Sequence, residues 1–210
     1  MSPQLTRTST VDALAADLRP RILDGDLPPG HRLREQELSD DYGVARHTLR
    51  SALKQLASEG LVKIEPNRGA RVAELTADDL SGLADLRIAL ETEAARLALD
   101  RHDGLLPEEV HDAAHRLAAL CRRKRPQWSA VNEAHEQLHA TIVRAAQSPR
   151  IEQAHQALAG ELRLFIAQLR PAWSLDKMAD DHLELVSKIE RKGPDVLRAH
   201  IRESTAALLS

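Results

Sequence analysis

Aromatic residues are scarce in this 210-residue chain, with two Trp, one Tyr and one Phe making up 2%. Sheets and sandwiches draw on aromatic and β-branched side chains, so this scarcity beside abundant Ala and Leu favours helices packed through aliphatic seams. A single cysteine, Cys121, excludes an internal disulfide framework and suits a reducing compartment. No apolar run approaches the roughly 20 residues that a membrane helix needs. No basic-then-apolar leader opens the chain, so the expected location is the cytoplasm. Net charge does not point to nucleic acid either. The formal value is −3, and residues 1–75 carry eleven Lys/Arg against eleven Asp/Glu. Any contact with DNA must therefore come from a local patch.

Periodicity supplies the organisation. Residues 10–24 repeat Val11, Leu14, Leu18 and Ile22 at helical spacing, although Pro20 should kink the helix or start a new turn. The turn Leu27-Pro28-Pro29-Gly30 follows. A short helix is expected at about Glu35–Tyr42, ended by Gly43, and a longer one from about Ala45 to Glu59, ended by Gly60. Leu61–Ile64 and Ala70–Val72 read as two strands joined by Pro66-Asn67-Arg68-Gly69, a β-hairpin. Thr76 and Asp79 can cap a new helix. Beyond it only helical patterns appear, broken at 102–106, 124–127, 147–150, 171–174 and 192–194. The fold class expected is mainly α: a winged helix-turn-helix over residues 1–75, then an all-α helical bundle over 76–210.

On a helical wheel, Leu49, Leu53 and Leu56 of the third helix fall within about 60° and form its buried stripe. Arg46, His47, Arg50 and Lys54 fall within about 100° on another face. No acidic residue interrupts residues 43–58, so a uniformly cationic surface is expected to face base edges and phosphates. Arg is the usual reader of guanine. Arg68 in the wing, lifted by Gly69, is placed to enter the minor groove or hold a phosphate.

Residues 22–72 resemble the DNA-binding domain of the GntR family of bacterial transcription regulators. The matching points are the Pro-Pro-Gly turn, Leu33-Arg34-Glu35, Leu38-Ser39, Gly43-Val44-x-Arg46, Arg50-x-Ala52-Leu53, Gly60-Leu61-Val62 and Pro66-Asn67-Arg68-Gly69-Ala70. The resemblance implies that Arg34, Arg46, Thr48, Arg50 and Gly69 lie at the DNA. Ala45 departs from the family's Ser or Thr, losing a helix cap. His47 stands where Thr is common, and Pro20 is unusual for the first helix.

Asp85-Leu86-Arg87-Ile88-Ala89-Leu90-Glu91, with Ala94–Ala98, resembles the opening of the FCD ligand-binding domain of the FadR subgroup. That resemblance implies a helical bundle holding a metal through one Asp and three His. Its Asp-x-x-x-His helix corresponds to His135-x-x-x-His139, followed by Ala145–Pro149, and His182 and His200 would complete the ligand set. His135 replaces the usual Asp, and the 182–200 spacing is about four residues, near one helical turn, shorter than expected.

Eight of the ten histidines lie after residue 100, and their wheel positions rank them. His135 and His139 sit about 50° and 90° from the stripe Val131–Ala134–Leu138–Ile142–Ala145, facing the bundle interior near its edge. His182 shares a stripe with Val186 and Ile189, and His200 borders one made by Leu197, Ile201 and Leu208. The rival pair His111 and His115 points to water. Inward histidines on three helices are what a metal site in a bundle requires.

The stretch His135-Glu136-x-x-His139 is also H-E-x-x-H, the helical zinc motif of metallopeptidases. A third ligand at the metzincin spacing would need Gly and His where Ile142 and Ala145 stand. A metal-dependent hydrolase using Glu136 as base is therefore the lesser alternative, and no enzymatic activity is expected. The reading favoured is a DNA-binding regulator acting as a homodimer on inverted half-sites. Its bundle would hold a divalent ion (Zn, with Ni or Mn as alternatives). A carboxylate effector would bind that ion, assisted by Arg87. The same regulator without metal, its histidines hydrogen-bonding an organic acid, is a second alternative.

Overall fold

The computed structural model describes residues 9–66, 68–169 and 173–209. The chain divides into two compact units, Met1–Glu74 and Leu75–Ser210.

In the first unit, α1 (Thr10–Leu23) begins with a reciprocal cap: the Ser9 side chain accepts from the Asp12 backbone N–H, and Asp12 accepts from that of Ser9. The helix runs through Pro20 without a break. Proline removes the bond to the carbonyl of Ala16, and Ala16 is exposed, so water can satisfy that oxygen. Helices α2 (Glu35–Asp41) and α3 (Arg46–Ser58) flank a turn in which Gly43 takes φ 61°, a left-handed conformation favoured by a residue without Cβ. Ala45 precedes α3 with no side-chain cap, as its departure from Ser or Thr implied. Leu49, Ala52, Leu53 and Leu56 are fully buried.

Two of the three strands are those expected, β2 (Val62–Glu65) and β3 (Gly69–Val72), paired antiparallel. A further strand, β1 (Arg32–Leu33), pairs with the other side of β3, giving the order β1-β3-β2. Two residues are too few to carry an alternating pattern, so β1 leaves no trace in the sequence.

The second unit is helical. It comprises α4 (Ala77–Arg101), α5 (Glu108–Cys121), α6 (Trp128–Ala145), α7 (Pro149–Gln156), α8 (Ala159–Leu169), α9 (Leu175–Lys192) and α10 (Asp195–Leu209). Thr76 and Asp79 form the expected reciprocal cap of α4. Helix α5 packs on α6 and α9, and α4 packs on α6 and α10. Their seam is aliphatic, with Val110, Leu117, Val131, Leu138, Ile142, Met178, Val186 and Ile189 all buried. The break between α7 and α8 was not expected, because neither Ala157 nor Leu158 is a helix breaker. Leu158 is buried against this core, so tertiary packing overrides local propensity there. The expected break at 171–174 lies partly outside the described residues.

Candidate metal centre and nucleic-acid interface

Helix α3 turns Arg46, His47, Arg50 and Lys54 outward while its leucines are buried. The expected uniform cationic face needs correction. Arg50 pairs with Glu35 of α2 at 2.7 Å, Arg34 with Glu37 at 2.7 Å, and Arg68 with Glu65 at 3.7 Å. The acids absent from 43–58 arrive from neighbouring elements, which a single-helix wheel cannot reveal. Arg46 and Lys54 make no ion pair among the described residues. Exposed pairs of this kind are screened by water and salt, so a phosphate can displace the carboxylate at little cost. Thr48 lies in the first turn of α3, its hydroxyl 3.4 Å from His47 Nε2. Gly69 opens β3 at φ 83°, and Asn67 lies outside the described residues.

In the second unit, α6 presents His135 and His139 one turn apart, α9 presents His182 and α10 presents His200. One nitrogen from each ring lies within 4.8 Å of the others. His135, His139 and His182 are buried, and His200 is half-buried at the edge. Ring centroids of His135 and His139 are 4.6 Å apart, and those of His182 and His200 are 4.7 Å apart. Burial pushes the His182 imidazole down to about 3, with His139 adding to the effect. Burial likewise holds His135 and His200 well below the ordinary range. His139 is lowered by burial against the opposing pull of Glu91. Neutral imidazoles offer lone pairs.

The outer ring nitrogens decide where those lone pairs point. His182 Nδ1–H donates to the Met178 carbonyl at 2.7 Å, and His139 Nδ1–H donates to Glu91 Oε2 at 2.7 Å. In both residues Nε2 is then buried with no hydrogen-bond partner. Buried polar atoms are nearly always paired, so two orphans aimed into one cluster of nitrogens fit a cation. Four neutral nitrogens suit Zn, Ni or Cu better than Mg or Ca. The second unit therefore holds a buried four-histidine group able to take a metal ion.

Arg87 is not at an open pocket wall. It is buried, its Nε 2.8 Å from Glu91 Oε1 and its guanidinium 5.5 Å from the Phe165 ring centroid. His155 Nε2 also reaches Glu91, at 3.3 Å. Glu91 and His155 were missed by the sequence reading. The available signal was Arg87-x-x-x-Glu91, two charges set one turn apart on a face otherwise made of Leu83, Ala84, Ile88, Ala94 and Ala95. Glu136 pairs with Arg163 of α8 at 3.0 Å, so the would-be catalytic base is engaged elsewhere. Of the rival pair, His115 is exposed, but His111 is only half-exposed and sits 2.9 Å from Glu190.

Beside His200, a cavity of about 390 Å³ opens between α9 and α10, lined also by Trp173, Lys177, Lys188, Lys192 and Glu203. No helix among the described residues is long and apolar enough to cross a membrane.

Comparison with known proteins places both units. Residues 10–72 match the bacterial regulatory proteins of the gntR family, and residues 82–207 match the FCD domain. The chain is 28% identical over 209 residues to the "probable D-xylose utilization operon transcriptional repressor" of Paenarthrobacter nicotinovorans, covering 99% of this chain and 91% of that one. It is 29% identical over 170 residues to the HTH-type transcriptional repressor GlaR of Escherichia coli, covering 79% and 77%. A crystal structure of a GntR regulator from Rhodococcus sp. RHA1 shares the fold, with a TM-score of 0.68 at 24% identity, covering 95% of this chain and 97% of that one. With a helix-turn-helix and wing in one unit and a helical bundle in the other, the chain belongs to the GntR family: it is a DNA-binding transcriptional regulator with a C-terminal FCD effector-binding domain.

Proposed function

We propose that this regulator is a cytoplasmic homodimer that binds an inverted-repeat operator and responds to a small organic acid at a metal centre in its FCD domain. The observation that carries the metal reading is the pair of orphaned Nε2 atoms on His139 and His182. His135, His139, His182 and His200 would hold the ion, with Zn the first choice and Ni the alternative, while the lack of a carboxylate in the set disfavours Mn. When bound, the ion would supply a Lewis-acidic centre, and an oxygen ligand would require a coordination number above the four that the histidines fill. An all-histidine set brings no negative charge of its own, which favours an anionic partner.

The cavity beside His200 supports a carboxylate effector. Its volume falls at the low end of the roughly 300–1,000 Å³ typical of ligand sites; of its three lysines, Lys177 and Lys188 pair with Asp181 and Glu184 of the same wall, which leaves Lys192 as the cation on offer. Sequence reasoning assigned that cationic role to Arg87. Glu91 occupies the Arg87 guanidinium, and Glu184 pairs with Lys188 at 3.1 Å, so we assign it to Lys192 at the cavity wall.

At the operator, Arg46 and Arg50 at the start of α3 would meet base edges, with His47 and Thr48 beside them. Arg34, Arg68 and the backbone at Gly69 would position the duplex through phosphate or minor-groove contacts. Effector and operator must alter one another's affinity by the same factor. Metal analysis of freshly purified protein, followed by operator titration with and without a chelator, tests the reading. Operator and effector binding that are unchanged on stripping the metal would refute a sensing role for the ion. Selection from random duplexes tests the DNA reading, and absence of a palindromic motif would count against it.

A further inference from the structure

Burying a carboxylate is expensive unless every lone pair has a partner, and apart from Arg87 the α4 face that carries Glu91 is aliphatic. Glu91 is nonetheless fully buried, and its two oxygens divide their partners. Oε1 takes Arg87 Nε at 2.8 Å and His155 Nε2 at 3.3 Å, while Oε2 takes His139 Nδ1 at 2.7 Å. The groups come from three helices, α4, α6 and α7, so the carboxylate cannot rotate without breaking contacts to at least one of them.

We propose that Glu91 is the positioning residue of the metal centre, receiving the Nδ1 hydrogen of His139 and so fixing that ring with Nε2 toward the other histidines. This rests on the metal-binding reading above. His155 and Arg87 hold Glu91 in place; Arg87 Nη2 also lies 3.4 Å from His139 Nδ1, but that nitrogen cannot accept from it while donating to Glu91 at 2.7 Å. An imidazole that donates its outer N–H to a carboxylate is a more basic ligand, and its orientation is set before the ion arrives. His182 receives the same treatment from a backbone carbonyl, so two of the four donors are aimed by hydrogen bonds at their outer nitrogens. Glu91 differs in being a side chain that a single substitution can remove.

The test uses the full-length protein. Zn²⁺ affinity is measured by competition with a chromophoric chelator for wild type, for Glu91→Gln, and for the double variant Arg87→Met/Glu91→Gln. The double variant removes the buried pair together and so leaves no lone buried charge. A roughly ten- to hundredfold weaker affinity in both variants is expected, and thermal denaturation of the metal-free proteins is followed in parallel. A merely structural Glu91 would lower the melting temperature and leave affinity alone, and that result overturns the proposal. If wild type itself binds no Zn²⁺, Ni²⁺ or Co²⁺, the metal reading falls and this inference with it. A second measurement needs neither metal nor mutant. Nitrogen-15 spectra of the imidazoles should show His139 carrying its hydrogen on Nδ1, and finding it on Nε2 overturns the proposal by itself.

Discussion

His182 Nδ1 lies 2.7 Å from the carbonyl oxygen of Met178, one turn back on the same helix. That carbonyl is the usual acceptor of an α-helical N–H, and here the imidazole shares it. The ring is thereby pinned against its own helix, its Nε2 left buried and unpartnered.

Replacing His182 with Ala is expected to abolish stoichiometric metal binding while leaving operator selection by the first unit intact. Elemental analysis checks this. Zn²⁺ at about a hundred times its dissociation constant should stabilise the wild-type fold by about 2.7 kcal/mol. The variant should gain nothing, which thermal denaturation would register.

Arg46→Ala is expected to lose about 1–3 kcal/mol of binding at one operator position and to relax the sequence preference there. Lys54→Ala should weaken all sequences alike and reduce the slope of log affinity against log salt by about one. Fluorescence titrations over a salt series distinguish the two. A position-specific effect of Lys54 would reverse the roles assigned here.

Glu35→Gln releases Arg50 from its 2.7 Å pair. Affinity for non-specific duplex should rise and become more salt-dependent, because the Arg50 charge is no longer compensated by a neighbouring carboxylate. Unchanged affinity would place Arg50 away from the duplex.

Glu136→Gln should leave metal affinity unchanged, because the carboxylate is held by Arg163. Loss of the partly buried pair should lower stability modestly, by about 1 kcal/mol. Metal-dependent peptidase activity abolished by this change would restore the hydrolase reading of H-E-x-x-H.

Cys121 is buried, and burial pushes its thiol up to about 11 from an ordinary value of 9.0. The folded-state value is the higher one, so the neutral thiol's contribution to stability is complete below the unfolded value and is lost as pH rises from about 9 to about 11. At pH 8, thiol reagents should modify native protein far more slowly than unfolded protein. Rapid labelling of the folded chain would contradict this.

Much of this was legible because the signals are local. Thr76 announces its cap, Gly43 its turn, and His135, His139 and His182 their inward faces by phase against Leu138 and Val186. What stayed hidden depends on neighbours distant in sequence. Glu35 neutralises Arg50 from another helix, β1 exists only because β3 lies beside it, and Leu158 ends α7 through burial. Glu91 belongs to this class. As a residue it is an ordinary charge four places from Arg87, and only the meeting of α4, α6 and α7 gives it His139 and His155.

The donors sit on α6, α9 and α10, at positions from His135 to His200. A zinc finger gathers its ligands from one short segment and can fold around the ion; this arrangement cannot. Capture must await the packing of three helices, so ion loading would be a late event in the maturation of the chain. An ion leaving the centre would remove one tie between α6, α9 and α10, while Leu197 and Ile201 keep α10 packed in the bundle.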